Sequence, residues 1–152
     1  MQTLRQLYIH IVFSTKHRKN VLLKNNREKL FNYIWGILKN LNIRLLRVNG
    51  VDDHIHIFID MPTNIVISEL VKTIKKSTNK FIKSNNLFLD FNGWQNGYGA
   101  FSCSLQDKKR IINYIKNQEE HHRKTNLRDE LKSFFISDGV DYSPEFFDNF
   151  FK

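Results

Sequence analysis

Two histidines stand two residues apart in Asp53-His54-Ile55-His56-Ile57-Phe58-Ile59, a run whose β-branched and aromatic content reads as a strand. Strand side chains alternate faces, so His54 and His56 project together with Cα atoms about 7 Å apart. Both imidazoles can then reach one divalent ion, while Ile55 turns into a core on the other face. Two exposed strand histidines with nothing between them give the same pattern, so metal binding is one candidate chemistry and not the only one. A second constellation lies in the helical stretch Lys108 to Lys124, KKRIINYIKNQEEHHRK. Positions i and i+4 sit about 40° apart around a helix, which sets Tyr114 beside Gln118, with Asn117 and His121 near them. They border the apolar stripe of Ile111, Ile112 and Ile115, and a packed aromatic with a wet hydroxyl would satisfy that pattern equally.

These residues need elements to hold them. Leu7 to Ser14 alternates and reads as a strand whose Tyr8, His10 and Val12 share a face. A basic loop, Lys16 to Lys19, leads to a helix over Asn26 to Asn40, in which Leu30, Phe31, Ile34, Ile37, Leu38 and Leu41 recur at helical spacing. Ile43 to Asn49 and His54 to Met61 are two extended runs separated by the turn-forming Gly50-Val51-Asp52-Asp53, and Pro62 ends the second. Ile67 to Ser84 is an amphipathic helix with Lys72, Lys75, Lys76, Lys80 and Lys83 opposite its apolar face. The turn-rich Gly93 to Gly99 precedes a short strand, Ala100 to Ser104, and Asp107 is the expected N-cap of the Tyr114 helix. The order β-α-β-β-α-β plus one more helix predicts an α+β, ferredoxin-like (RRM-like) antiparallel sheet with an additional C-terminal tyrosine-bearing helix. Such a fold hosts many functions and is only a platform.

At 152 residues the chain suits one domain, and 24 Lys and Arg against 15 Asp and Glu leave a net charge of +9. That excess fits a polyanion, with nucleic acid first, better than a neutral small molecule. The lone Cys103 forms no internal disulfide and reads as an inert thiol in a strand; the N-terminal MQTLRQLYIHIVF lacks the layout of a secretory signal. A cytoplasmic location is expected. No apolar run approaches the ~18 residues of a bilayer span.

The sequence resembles the IS200/IS605-type transposases, single-tyrosine members of the HUH endonuclease group. HIVFSTKHRKNVL, VDDHIHIFIDMP, GWQNGYGAFS and YIKNQEEHHRK carry the resemblance, which covers roughly residues 5 to 132. It implies that His54 and His56 are the HUH histidines, that Tyr114 is the nucleophile and that Gln118 is the third metal ligand. The expected cofactor is a divalent ion, Mg²⁺ or Mn²⁺, the latter better matched to nitrogen ligands. The implied activity is metal-dependent transesterification of single-stranded DNA through a 5′-phosphotyrosine, with hairpins recognised at element ends. The resemblance further implies a homodimer, in which the Tyr114 helix serves its own or its partner's histidines. Two other readings are a domesticated, repeat-associated relative with the same chemistry and a non-catalytic nucleic-acid-binding module on the same fold.

Phosphate contacts are expected from Lys16, His17, Arg18 and Lys19 and from the lysine stripe of Lys72, Lys75, Lys76, Lys80 and Lys83. Trp94 and Tyr98 could stack on unpaired bases or anchor their loop in the core. His10 reads as a structural histidine, and His121 and His122 as neighbours of the site. Residues 1–132 form the expected catalytic domain. Residues 133–152 form a C-terminal extension whose Phe134, Phe135, Phe146, Phe147, Phe150 and Phe151 should dock on the body or on a dimer partner. Tyr142 is the rival nucleophile, set in a turn context without a Gln four residues on.

Overall fold

The computed structural model describes residues 3–120, 125–137 and 143–150. Its elements are β1 (Tyr8–Ser14), a short 3₁₀ turn (Lys16–Arg18), α1 (Lys24–Asn40), β2 (Arg44–Gly50), β3 (His54–Asp60), α2 (Ile67–Ser84), β4 (Gly99–Cys103) and α3 (Lys108–Lys116). Two further helices follow, α4 (Leu127–Ser137) and α5 (Pro144–Phe150). The strands form one antiparallel sheet in the order β2-β3-β1-β4. With the Tyr114 helix added after β4, this is the expected ferredoxin-like α+β fold.

Strand alternation divides the sheet into two chemically different faces. Ile11 and Phe13 of β1 and Ile55, Ile57 and Ile59 of β3 point to one face, where they meet Leu30, Ile34 and Leu38 of α1 and Leu70, Val71, Ile74 and Ile82 of α2. Full burial of each such side chain stabilises the fold by roughly 1.5–3 kcal/mol. The register pairs Val12 with His56 and His10 with Phe58, so the opposite face carries the imidazoles. Over that face α3 lays Ile111 and Ile115 on Phe58, while Leu127 and Leu131 of α4 and Phe147 of α5 gather around Val12. The last aromatic segment therefore docks on the body through Phe147, and α4 runs through residue 132 without a break.

Tight approaches account for two glycine positions. A Cβ on Gly50 would stand 2.6 Å from the carbonyl oxygen of His54, inside the β2–β3 hairpin. Gly97 has φ of 88°, in the left-handed region that favours glycine, in the loop before β4. Among the described residues no helix is long and apolar enough to cross a membrane.

Candidate active site

β3 presents His54 and His56 on one face, as the alternation requires, and both are fully buried. His54 Nδ1 lies 2.7 Å from Asp53 Oδ1. Donating that N–H to the carboxylate leaves a lone pair on Nε2, which faces Gln118 Oε1 at 3.3 Å. Two lone-pair atoms held face to face are the arrangement that a shared cation satisfies. His56 Nδ1 meets His10 Nε2 at 2.8 Å, with the two rings stacked 5.0 Å apart. Burial pushes His10 down to about 4, so it is a neutral imidazole in this setting. A neutral His10 can accept the Nδ1–H of His56, which fixes the tautomer whose Nε2 is available to a metal.

α3 carries Tyr114 to the same place. Its ring stands edge-on to His56, with centroids 5.7 Å apart, and 6.4 Å from that of His10. The hydroxyl donates to Glu130 Oε2 of α4 at 2.7 Å. Burial first, then the charge and hydrogen bond of Glu130, push the phenol well above its ordinary value, and a hydrogen bond from Gln118 opposes them. The resting phenol is therefore protonated and poised against a carboxylate. Metal-binding atoms of His54, His56 and Glu130 all lie within 4.8 Å of one another. Adding Gln118 gives imidazole, amide and carboxylate donors, a set that suits a divalent ion with oxygen preference and still tolerates nitrogen.

Tyr114 and Gln118 do not share one continuous helix, contrary to the spacing expectation. The helix expected over Lys108 to Lys124 ends at Lys116, and Asn117, with φ −98° and ψ 26°, leaves helical geometry while its N–H still bonds Asn113 O at 3.1 Å, before residues 118–120 turn helical again. Gln118 still arrives at His54, but a bend delivers it and not one continuous helical face. Sequence reasoning missed Glu130, the carboxylate on Tyr114. Its only local trace is a place between Leu127 and Leu131, which are buried against Val12. Asp53 was visible beside the histidines without its role being legible. His10, expected to be structural, is the direct partner of His56. His121, His122 and Tyr142 lie outside the described residues, as do Phe151 and the side chains of Phe134, Phe135, Phe146 and Phe150.

The basic residues form a separate feature on the opposite side of the sheet, where α2 packs. Lys16, His17, Lys72, Lys75, Lys76 and Lys83 line a cavity of about 700 Å³ together with the loop that carries Trp94 and Tyr98. Arg18 and Lys80 are not part of that lining. Lys75 donates to the carbonyls of Gln95 and Gly97 at 2.8 and 2.7 Å, above the ring of Phe13, and burial pushes it down to about 8. Its ammonium fastens the loop. Trp94 donates to Thr78 Oγ1 at 2.9 Å and stands edge-on to Phe13 and Phe91, each 5.0 Å away, while Tyr98 packs against the same core. Both aromatics thus act as anchors of the loop. Cys103 is a half-buried thiol outside any disulfide, its Sγ 3.4 Å from the Ser104 carbonyl oxygen.

Residues 3–118 match the family model described as "Transposase IS200 like". The transposases for insertion sequence element IS200 of Salmonella typhimurium and Salmonella typhi are each 25% identical over 124 residues, covering 75% of this chain and 78% of theirs. The solved structure of a Deinococcus radiodurans R1 protein inferred to be a transposase aligns with a TM-score of 0.61 at 21% identity, over 78% of this chain and 95% of that one. A REP-associated tyrosine transposase bound to a REP hairpin aligns with a TM-score of 0.60 at 18% identity, over 80% of this chain and 74% of its own. With a family model spanning both histidines, the half-buried phenol and the amide beyond it, the chain belongs to the IS200-like transposases.

Proposed function

We propose that this transposase cleaves and rejoins single-stranded DNA by metal-dependent transesterification, with Tyr114 as nucleophile and His54, His56 and Gln118 as the core of a site for Mg²⁺ or Mn²⁺. The observation that carries this reading is the convergence of a phenol, two imidazoles, an amide and a carboxylate in one buried cluster built from β3, α3 and α4. A divalent ion bound there supplies Lewis-acid polarisation of the scissile phosphate and offsets charge on its oxygens. Tyr114 Oη forms the new bond to phosphorus as the bond to the 3′ oxygen breaks, leaving a 5′-phosphotyrosine and a 3′ alkoxide that takes a proton from water to become the free 3′-hydroxyl. Glu130 Oε2 is placed to take the phenolic proton. Phosphodiester bond energy is kept in the adduct, so a later 3′-hydroxyl is joined by reversal of the same step.

The α2 groove supplies the positive surface for the DNA backbone, with Lys16, Lys72, Lys76 and Lys83 as phosphate contacts and Lys75, Trp94 and Tyr98 shaping the loop beside them. A structural neighbour holds a REP hairpin, which supports hairpin ends as the substrate here. We place the protein in the cytoplasm with its DNA, as a homodimer. The test is incubation with end-labelled single-stranded element ends and Mg²⁺ or Mn²⁺. A covalent protein–DNA adduct is expected that chelation abolishes, that Tyr114→Phe lacks and that Tyr142→Phe retains; an adduct persisting in Tyr114→Phe removes Tyr114 from this role.

A further inference from the structure

Gln118 reaches His54 although the backbone of the helix that carries Tyr114 bends away from helical geometry at Asn117. Something other than continuous helix geometry must therefore aim both residues, and two side chains from other elements flank the break. Asn49, on β2 directly across the ladder from His56, donates from Nδ2 to the carbonyls of Ile115 and Lys116 at 3.0 and 3.1 Å. These carbonyls belong to the last turn of α3, where a helix end leaves acceptor capacity to be met from outside. The amide oxygen of Asn49 accepts from the Gly50 N–H at 2.9 Å, which locks the side chain in that orientation. Beyond the break, Arg27 of α1 is only 6% exposed and spans two carboxylates. Its guanidinium bonds Asp52 at 2.9 Å, two residues before His54, and Glu119 at 3.3 Å, the residue after Gln118, with the carbonyl of Leu22 at 3.2 Å as a third contact.

We infer that Asn49 and Arg27 are positioning residues that clamp the bend between Tyr114 and Gln118 onto the histidine strand of the same chain. The inference rests on the catalytic reading above. Asn49 fixes the last turn of α3, and with it Tyr114, relative to His56. Arg27 ties the far side of the bend to the turn that precedes His54, and so sets Gln118 opposite His54. Neither residue touches substrate or metal in this scheme; each acts through the residues it holds. A planar guanidinium with several fixed donors is suited to bridge two carboxylates, and a buried one that lost both partners would be left uncompensated.

The test compares wild type with Asn49→Asp, which keeps the shape and replaces the donor with a carboxylate facing two carbonyls, and with Glu119→Ala. Glu119 is half-exposed, with a side chain 46% accessible, so its removal leaves the fold intact while cutting one arm of the clamp. At saturating DNA, single-turnover adduct formation should slow by about tenfold or more in both variants, the scale expected for a reacting group displaced by about an ångström. The half-saturating DNA concentration and the far-ultraviolet circular dichroism should hold at wild-type values. Calorimetric titration of the DNA-free protein with Mn²⁺ should show affinity weakened by about tenfold in Glu119→Ala, the range seen when partners of metal ligands are removed. Unchanged rate and unchanged Mn²⁺ affinity would overturn the clamp, as would losses that merely track a fall in melting temperature. If wild type forms no adduct while Glu119→Ala still weakens Mn²⁺ binding, the catalytic reading fails and the clamp on the metal site stands.

Discussion

His10 shows how much of this site is set by a residue outside the proposed metal ligands, through its bond to His56. Its imidazole is buried and kept neutral, pushed from 6.5 down to about 4, while the unfolded chain protonates it near its ordinary value. Between those two values the unfolded state binds more protons, so stability rises with pH across that window and is lost as pH falls through it. Metal-free wild type should lose up to roughly 3 kcal/mol more stability than His10→Gln between pH 6.5 and 4, read from urea denaturation in EDTA. Parallel curves for the two proteins would show that His10 is not held neutral. That His54 and His56 share one face of β3 was legible because the alternation of a strand is obeyed by almost any fold that uses one. Glu130 was not legible, because its approach to Tyr114 depends on where α4 crosses the sheet, a tertiary fact that no local spacing encodes.

Elements position these residues through a few close approaches. The hairpin between β2 and β3 brings Gly50 against the backbone of His54, and a Cβ there would sit 2.6 Å from its carbonyl oxygen and 2.8 Å from Ile55 Cγ2. Gly50→Ala should cost about 1–3 kcal/mol of stability in urea denaturation, and it should impair adduct formation because the obstructed atoms belong to the histidine strand. A neutral outcome in both measurements would mean that the hairpin relaxes without moving His54. Strands and long helices were readable from sequence because Ile55, Ile57 and Ile59 keep period two and Leu30, Ile34 and Leu38 keep helical spacing. The end of α3 was misread because Asn117 and Gln118 carry no breaker; the bonds that flank the bend come from Asn49 and Arg27, which lie far away in sequence. Aromatic content suggested that the last segment docks somewhere, whereas the seat of Phe147 beside Val12 required the sheet register.

At the scale of the whole molecule, the sheet separates two features. One face holds the cluster of His10, His54, His56, Tyr114 and Glu130, and the face packed by α2 holds the lysine-lined groove. Phosphate contacts release counterions, so binding of single strands should weaken linearly with the logarithm of salt concentration. Replacing Lys72, Lys76 and Lys83 together by Ala should make that slope shallower by about 2, at about 0.7 per contact on single strands. An unchanged slope in filter binding across salt would take the groove out of DNA recognition. The proposed catalysis has one chain bring its own phenol to its own imidazoles, and the Tyr114 and His56 rings stand 5.7 Å apart. Mixing His56→Ala protein with Tyr114→Phe protein, each inactive alone, tests that claim most directly on labelled single-stranded ends. The mixture should form no covalent adduct, because no chain in it carries both halves of a site; recovery of the adduct on mixing would contradict the claim.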